Sequence, residues 1–257
     1  ADVNIIGIAQ TNGLMCANTL NEKATITVLK NHTATINIVP DSLCEGDILT
    51  FSVVVDDVNS TTGWELDYTI DGVAAATVTG TGSGTFTINS SRAVSPSQAK
   101  IVLTSIALTS TPFCSSTLSD TDSVVVSPTT VGGTVTPASS TICEGDNVTL
   151  TLSGETGDIQ NWEYSTDGGS TWTVLSNKTN VLNANNVMVT TIYRAFVKSG
   201  TCSGQYSSTA TVTVIPSPDA TVSSSDIVCP DELATFTLHV TDVPAGQNWS
   251  VVYRRNG

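Results

Sequence analysis

Six cysteines, two histidines and two neighbouring pairs of acids are the residues through which this 257-residue chain could do chemistry. The cysteines are Cys16, Cys44, Cys114, Cys143, Cys202 and Cys229. None lies in a Cys-x-x-Cys pair and zinc would need closer ligands, so the pattern points to disulfides formed in an oxidising compartment. His32 and His239 stand far apart, and neither has a partner at motif spacing. Each is expected to be solvated or half-buried, not a catalytic base. Nucleophilic catalysis needs a nucleophile, a base and an orienting group, and glycoside hydrolysis needs two carboxylates across a cleft; the sequence presents neither set. Asp56 with Asp57, and Asp120 with Asp122, are acid pairs of the kind that ligate calcium, but neither has the loop and bidentate Glu of an EF-hand. They read as charges that keep strand edges and loops soluble. "TGTGSGTF" at 79–86 has the glycines of a phosphate loop without its Lys-Ser/Thr or its helix, and is expected to be a flexible hairpin loop. No catalytic, cofactor-binding or metal-binding residue is therefore assigned, and no cofactor.

The elements around these residues are strands. The chain is 39 % hydrophobic, enough for packed cores, and Val, Ile, Leu and Ala are mixed with many Thr and Ser and show no sustained 3.6-residue period. A formal charge of -14 with only nine Lys and Arg argues against a nucleic-acid partner and fits a soluble surface protein. No window approaches 18 uninterrupted apolar residues. Membrane insertion is not expected, and any export signal is expected outside this segment, because "ADVNIIGIAQ" is not a signal peptide.

"CEGD" occurs at Cys44–Asp47 and again at Cys143–Asp146, with a weaker copy, "CPDE", from Cys229. A turn written three times marks a copied module more than an active site. "CANTLNEKATITV" from Cys16, "CSSTLSDTDSVVV" from Cys114 and "CSGQYSSTATVTV" from Cys202 align without a gap, each ending in a period-two strand. A Trp follows each earlier cysteine by 20, 19 and 20 residues, at Trp64, Trp162 and Trp249. Behind each comes a hairpin signal, Asp71-Gly72, Asp167-Gly168 or Asn256-Gly257. The chain thus divides into the C-terminal part of one module (1–30), two complete modules (31–128 and 129–216) and the N-terminal part of a fourth (217–257), as a piece of a longer array.

The second complete module has the pattern of an immunoglobulin-like sandwich. "GDNVTLTLS" supplies strand B, "NWEYSTDGG" strand C, "TWTVLS" the next strand, "TTIYRAFVKSG" strand F and "QYSSTATVTV" strand G. Trp162 takes the place of the buried strand C Trp, Tyr193 that of a tyrosine corner, and Leu152 and Ala195 the two positions of the core disulfide. With Trp64 and Trp249 these form the expected core. The fold class is all-β, with tandem immunoglobulin-like β-sandwich modules in a linear array.

"ICEGDNVTL", "WEYSTDGGSTW", "YRAFVKSGTCSG" and the terminal "TVTV" resemble the Ig-like or PKD-like tandem repeats of giant Bacteroidota cell-surface adhesins, including SprB-like gliding-motility adhesins. The resemblance implies type IX secretion, attachment at the outer membrane and a long filament serving adhesion and gliding. It also makes Ser42 in "DSL" and Ser123 in "DSV" candidate O-glycosylation sites. Neighbouring repeats of the same chain are the expected partners, with surface polysaccharide or other cells reached through distal regions. A stalk segment is the leading reading. The alternatives are a carbohydrate- or cell-binding module using exposed loops such as 73–86, and an accessory region of a secreted hydrolase.

Two cysteine pairings are open. In immunoglobulin topology the turn before strand B and the F–G turn lie at opposite ends of a sandwich, roughly 20–30 Å apart by strand rise. A disulfide needs Cα atoms within about 7 Å. Cys44 with Cys114 and Cys143 with Cys202, the pairs within modules, would therefore be strained. Head-to-tail stacking would instead bring Cys44 to Cys202, across the junction between modules.

Overall fold

The computed structural model describes residues 2–9, 17–25, 30–94 and 97–254, and every regular element among them is a strand. Cys16 and the Asn256-Gly257 hairpin signal lie outside the described residues. Two compact units are present, one of Ala1–Asp41, Ile48–Ala93 and Gln98–Val124, the other of Ser42–Asp47, Val94–Ser97 and Val125–Gly257.

The first unit begins with an antiparallel ribbon of β1 (Asp2–Ala9) and β2 (Ala17–Thr25). β3 (Thr33–Ile38) follows; β4 (Ser42–Cys44) belongs to the second unit. Next come β5 (Ile48–Asp56), β6 (Gly63–Ile70), β7 (Val73–Ala74), β8 (Val78–Thr81) and β9 (Gly84–Ala93). β10 (Ser97–Leu108), β11 (Ser115–Thr117) and β12 (Thr121–Ser127) complete the run. One sheet has the order β3-β5-β9 and the other β12-β10-β6-β7, with β8 beside β6 and β11 beside β10. Strict alternation in β5, whose residues 49, 51, 53 and 55 are buried, turns one face of its sheet inward. Rings from the two sheets meet there: Phe51 lies 5.3 Å from Tyr68, and Trp64 lies 4.8 Å from Phe86.

The second unit repeats the plan with β13 (Thr134–Thr136), β14 (Ser139–Cys143), β15 (Val148–Ser153), β16 (Asp158–Ser165) and β17 (Thr173–Leu175). β18 (Val181–Ala184), β19 (Thr191–Lys198), β20 (Gln205–Tyr206) and β21 (Ala210–Ile215) close it. The sheets are β13-β15-β18 and β14-β21-β19-β16-β17, with β20 beside β19. Lettered as A, B, E against A′, G, F, C, C′, this is an immunoglobulin-like sandwich. Strands B, C, C′, F and G fall where the sequence places them. The E strand β18 and the A strands carried no readable signal.

Trp162 is fully buried and pairs with Ala195 across β16 and β19, and its indole N–H donates to the Thr179 carbonyl at 2.9 Å. Leu152, Tyr193 and Ala195 share its cluster, so apolar packing fills the space a core disulfide would take. Trp64 is equally buried in the first unit and donates to the Gly82 carbonyl at 2.9 Å. Trp249 corrects the expected core, because it is 54 % exposed. Among the described residues after 216 the regular structure is the ribbon of β22 (Asp219–Ser223) and β23 (Thr237–Thr241), and one layer cannot enclose an indole.

Three smaller expectations also change. The glycine-rich segment 79–86 is not a flexible loop. It is the end of β8, a turn and the start of β9, with Ser83 Oγ accepting from the Val58 N–H at 2.8 Å. Gly80 is required there, because a Cβ would strike the Trp64 ring. His32 is buried and not solvated, its Nδ1–H donating to the Asp57 carbonyl at 2.9 Å. Asp71-Gly72 forms the two-residue turn expected of it, both residues at positive φ, but Asp167-Gly168 belongs to a wider loop.

Candidate functional site

The feature repeated along the chain is the four-residue turn, and its hydrogen bonds repeat as well. Cys44 N–H donates to Asp47 Oδ2 at 3.0 Å, and Asp47 N–H returns to the Cys44 carbonyl at 3.0 Å. Cys143 and Asp146 make the same two bonds at 3.2 and 3.1 Å. In the degenerate copy Glu232 takes the Asp role, with Cys229 N–H at 3.0 Å and its own N–H to the Cys229 carbonyl at 3.2 Å. The third residue has positive φ in all three, 92° at Gly46, 87° at Gly145 and 73° at Asp231. That conformation explains the glycine.

The Glu of "CEGD" fastens the strand that leaves its own module. Glu45 N–H donates to the Ser127 carbonyl at 2.8 Å, and its carboxylate accepts from Thr129 N–H at 3.2 Å. Glu144 does the same to the Ile215 carbonyl at 2.9 Å and Ser217 N–H at 3.1 Å. Each carboxylate thus caps the residue two beyond the strand end it holds, where the ladder stops and the linker begins. Cys44 and Cys143 end the short parallel strands β4 and β14 and open the turn that follows.

Cys44 is bonded to Cys202, with Cα atoms 5.0 Å apart and a sequence separation of 158. Both cysteines belong to the second unit. The bond joins the first complete repeat of the sequence to the second. The intramodule pairs Cys44–Cys114 and Cys143–Cys202 are not formed: Cys114 and Cys143 are free thiols, as is the exposed Cys229. The turn carrying Cys202 is seated on the residues that connect the repeats, Ser199 N–H donating to Thr130 Oγ1 at 3.0 Å. Gly200 is at φ 48°, and a Cβ on it would overlap the Ser127 side chain.

Three of the four paired acids are engaged in structure. Asp120 Oδ2 accepts from Ile36 N–H at 2.8 Å and Asp122 Oδ2 from Ile38 N–H at 2.7 Å, capping the free edge of β3. Asp57 lies 3.8 Å from Lys30 Nζ at the surface. Among the described residues no three His, Cys, Asp or Glu side chains converge as metal ligands. His239 is exposed on β23. Ser123 is exposed, its Oγ accepting from Gln98 Nε2 at 3.0 Å, and Ser42 is half-buried on β4.

Sequence reasoning missed one arrangement on β16, β17 and β19. In the loop from Ser165 to Trp172, Ser165 Oγ accepts from Gly169 N–H at 2.8 Å and Asp167 accepts from Thr171 N–H at 2.9 Å. The bonds from the Thr171 hydroxyl and N–H first, and from the Ser165 hydroxyl after them, hold the Asp167 carboxyl well below the usual carboxylate range. The loop presents Trp172 to Arg194, whose guanidinium lies 3.7 Å from the ring centres of both Trp172 and Tyr206. Glu163, buried beneath, pairs with that guanidinium at 2.8 Å. The guanidinium has its carboxylate, and the Trp172 indole N–H donates to the Gly169 carbonyl at 3.0 Å, which suits a clamp on the sheet face better than a reactive site. The Ser-x-Asp-x-Gly-x-Thr-Trp spacing from Ser165 was the available signal.

A family model described as a domain of unknown function (DUF8696) matches residues 131–216, the second complete repeat. No curated protein matches the chain. Among solved structures, the CARDB domain of a Pyrococcus furiosus protein in complex with di-metal ions is similar at 14 % identity and TM-score 0.29, over 40 % of this chain and 97 % of that one. The Clostridium thermocellum CbhA fibronectin(III)-like modules are similar at 10 % identity and TM-score 0.29, over 72 % and 95 %. The N-terminal four Ig domains of Dscam1 isoform 1.9 match at 13 % identity and TM-score 0.35, with 79 % of this chain covering 51 % of that one.

Proposed function

We propose that the chain is a non-enzymatic stalk segment of a large bacterial cell-surface adhesin, an array of immunoglobulin-like repeats that provides length and mechanical continuity. The observation that carries this reading is the Cys44–Cys202 bond, which ties one repeat of the sequence to the next by a covalent link. A covalent link spent on joining one repeat to the next belongs to an array. The acids and the Arg194 stack support it further, because the groups best able to do chemistry are occupied in holding strands and loops. Adhesion and gliding, type IX secretion and attachment at the outer membrane come from the resemblance to Bacteroidota adhesin repeats, as does O-glycosylation at Ser42 and Ser123.

Antibodies raised against the chain test this on intact cells of the source bacterium. The expected result is labelling along filaments outside the cell, lost on mild protease shaving, with the label on a polypeptide carrying many "CxGD" repeats. Recovery of the antigen on a soluble secreted polypeptide with a catalytic domain would replace the stalk by the accessory-region reading.

A further inference from the structure

The sandwich formed by β13 to β21 has an open side, where β17 ends one sheet and β18 ends the other. A groove of about 540 Å³ lies there, within the range of small-ligand sites. We propose that this groove binds a neutral carbohydrate. The inference goes beyond the stalk reading, since it makes the repeat itself a binding element.

Charge is the first ground. The chain has 23 Asp and Glu against nine Lys and Arg, yet no charged residue and no histidine lines the groove. An ionic ligand would find no counter-charge there, and burying an unpaired charge is costly. Hydrogen-bonding capacity is the second. Asn185 and Asn186 are exposed and make no side-chain hydrogen bond among the described residues, while Asn183 uses only its Oδ1, accepting from Thr149 at 2.9 Å. A carboxamide offers a donor and an acceptor side by side, and neighbouring sugar hydroxyls offer the reverse.

Apolar surface is the third. Tyr164, half-buried on β16, lines the groove, while Met188 and Val189 at its lip are 49 % and 53 % exposed. The C–H face of a sugar ring packs on such surfaces while its hydroxyls reach the amides. An extended peptide fits less well. It would need the free edge of β18, and the Val181 carbonyl there already accepts from Asn177 Nδ2 at 2.9 Å and Thr179 Oγ1 at 2.8 Å.

The experiment uses the whole chain, titrated by calorimetry and NMR with oligosaccharides of neutral glucan, mannan and xylan, with alginate and an unstructured peptide as competitors for the assignment. Saturable binding of a neutral oligosaccharide is expected, with shifts at the Asn185 amide and the Tyr164 ring. The variant N185A/M188A changes two exposed side chains, so its melting should be unchanged while binding falls by about tenfold or more. No binding by any neutral oligosaccharide overturns the proposal, as does binding that the variant leaves intact. A preference for alginate or for the peptide assigns the groove to another class of ligand. Cell-surface labelling reads the stalk separately, so the two can fail independently.

Discussion

Asp167 is a residue whose chemistry is spent within six positions of itself. Its carboxylate receives Thr171 and Ser165, so ionisation is favoured in the fold over the unfolded chain. A depressed folded pKa contributes stability that is complete above the unfolded value and is lost as pH falls through the folded one. The carboxyl carbon of Asp167 should therefore titrate below the ordinary aspartate range when followed by NMR. A midpoint in the ordinary Asp range would mean that the loop bonds are not held in solution, and the Trp172–Arg194–Tyr206 stack would lose its support. The same residue marks a limit of reading by dipeptide. Asp167-Gly168 has the letters of a two-residue turn, but the side-chain bonds to Thr171 select a longer loop. Local composition named a turn, and only the spacing to Ser165 and Thr171 could have told which.

Among the elements, the strands with a strong alternating pattern were legible and the short ones were not. β19 buries every second residue over its length, and a period-two signal of that size survives without tertiary information. β18 is only Val-Leu-Asn-Ala in an asparagine-rich stretch, and its place is fixed by pairing with β15, which sequence alone does not display. Trp249 was misread for the complementary reason: its spacing matched, but burial needs a facing sheet as well as a position. The acids at 120 and 122 were read as charges on an edge, and their bonds to β3 show how they work there. Each removes a free N–H from a strand edge that could otherwise pair further. Replacing both, as D120A/D122A, should cost about 1–3 kcal/mol for each lost charged acceptor in denaturant titration, and calcium should not alter the melting of the parent chain. A loss within about 0.5 kcal/mol, the scatter of ordinary surface changes, would show that water replaces the carboxylates without penalty.

For the whole molecule the consequence of the Cys44–Cys202 bond is a change in the path that force takes. Tension applied at the two ends passes through the residues before Cys44, crosses the disulfide and continues after Cys202. The 158 residues of sequence separation are bypassed, and they include β5 to β12 and β13 to β19. Strands off the path cannot be peeled by that tension, so the oxidised chain should extend as if most of it were absent. At about 3.3–3.6 Å per extended residue the hidden length is about 520–570 Å. Single-molecule stretching of the oxidised chain should fall short of the reduced chain by that amount, and C44S/C202S should behave as the reduced chain does. The same variant should lose about 2–5 kcal/mol of stability, since the bond closes a long loop in the unfolded state. Equal lengths with and without reductant would mean that the bond does not form in solution. A hidden length less than half as great would mean that Cys44 has paired within its own repeat, with Cys114, and the turn would then lock one module in place of joining two.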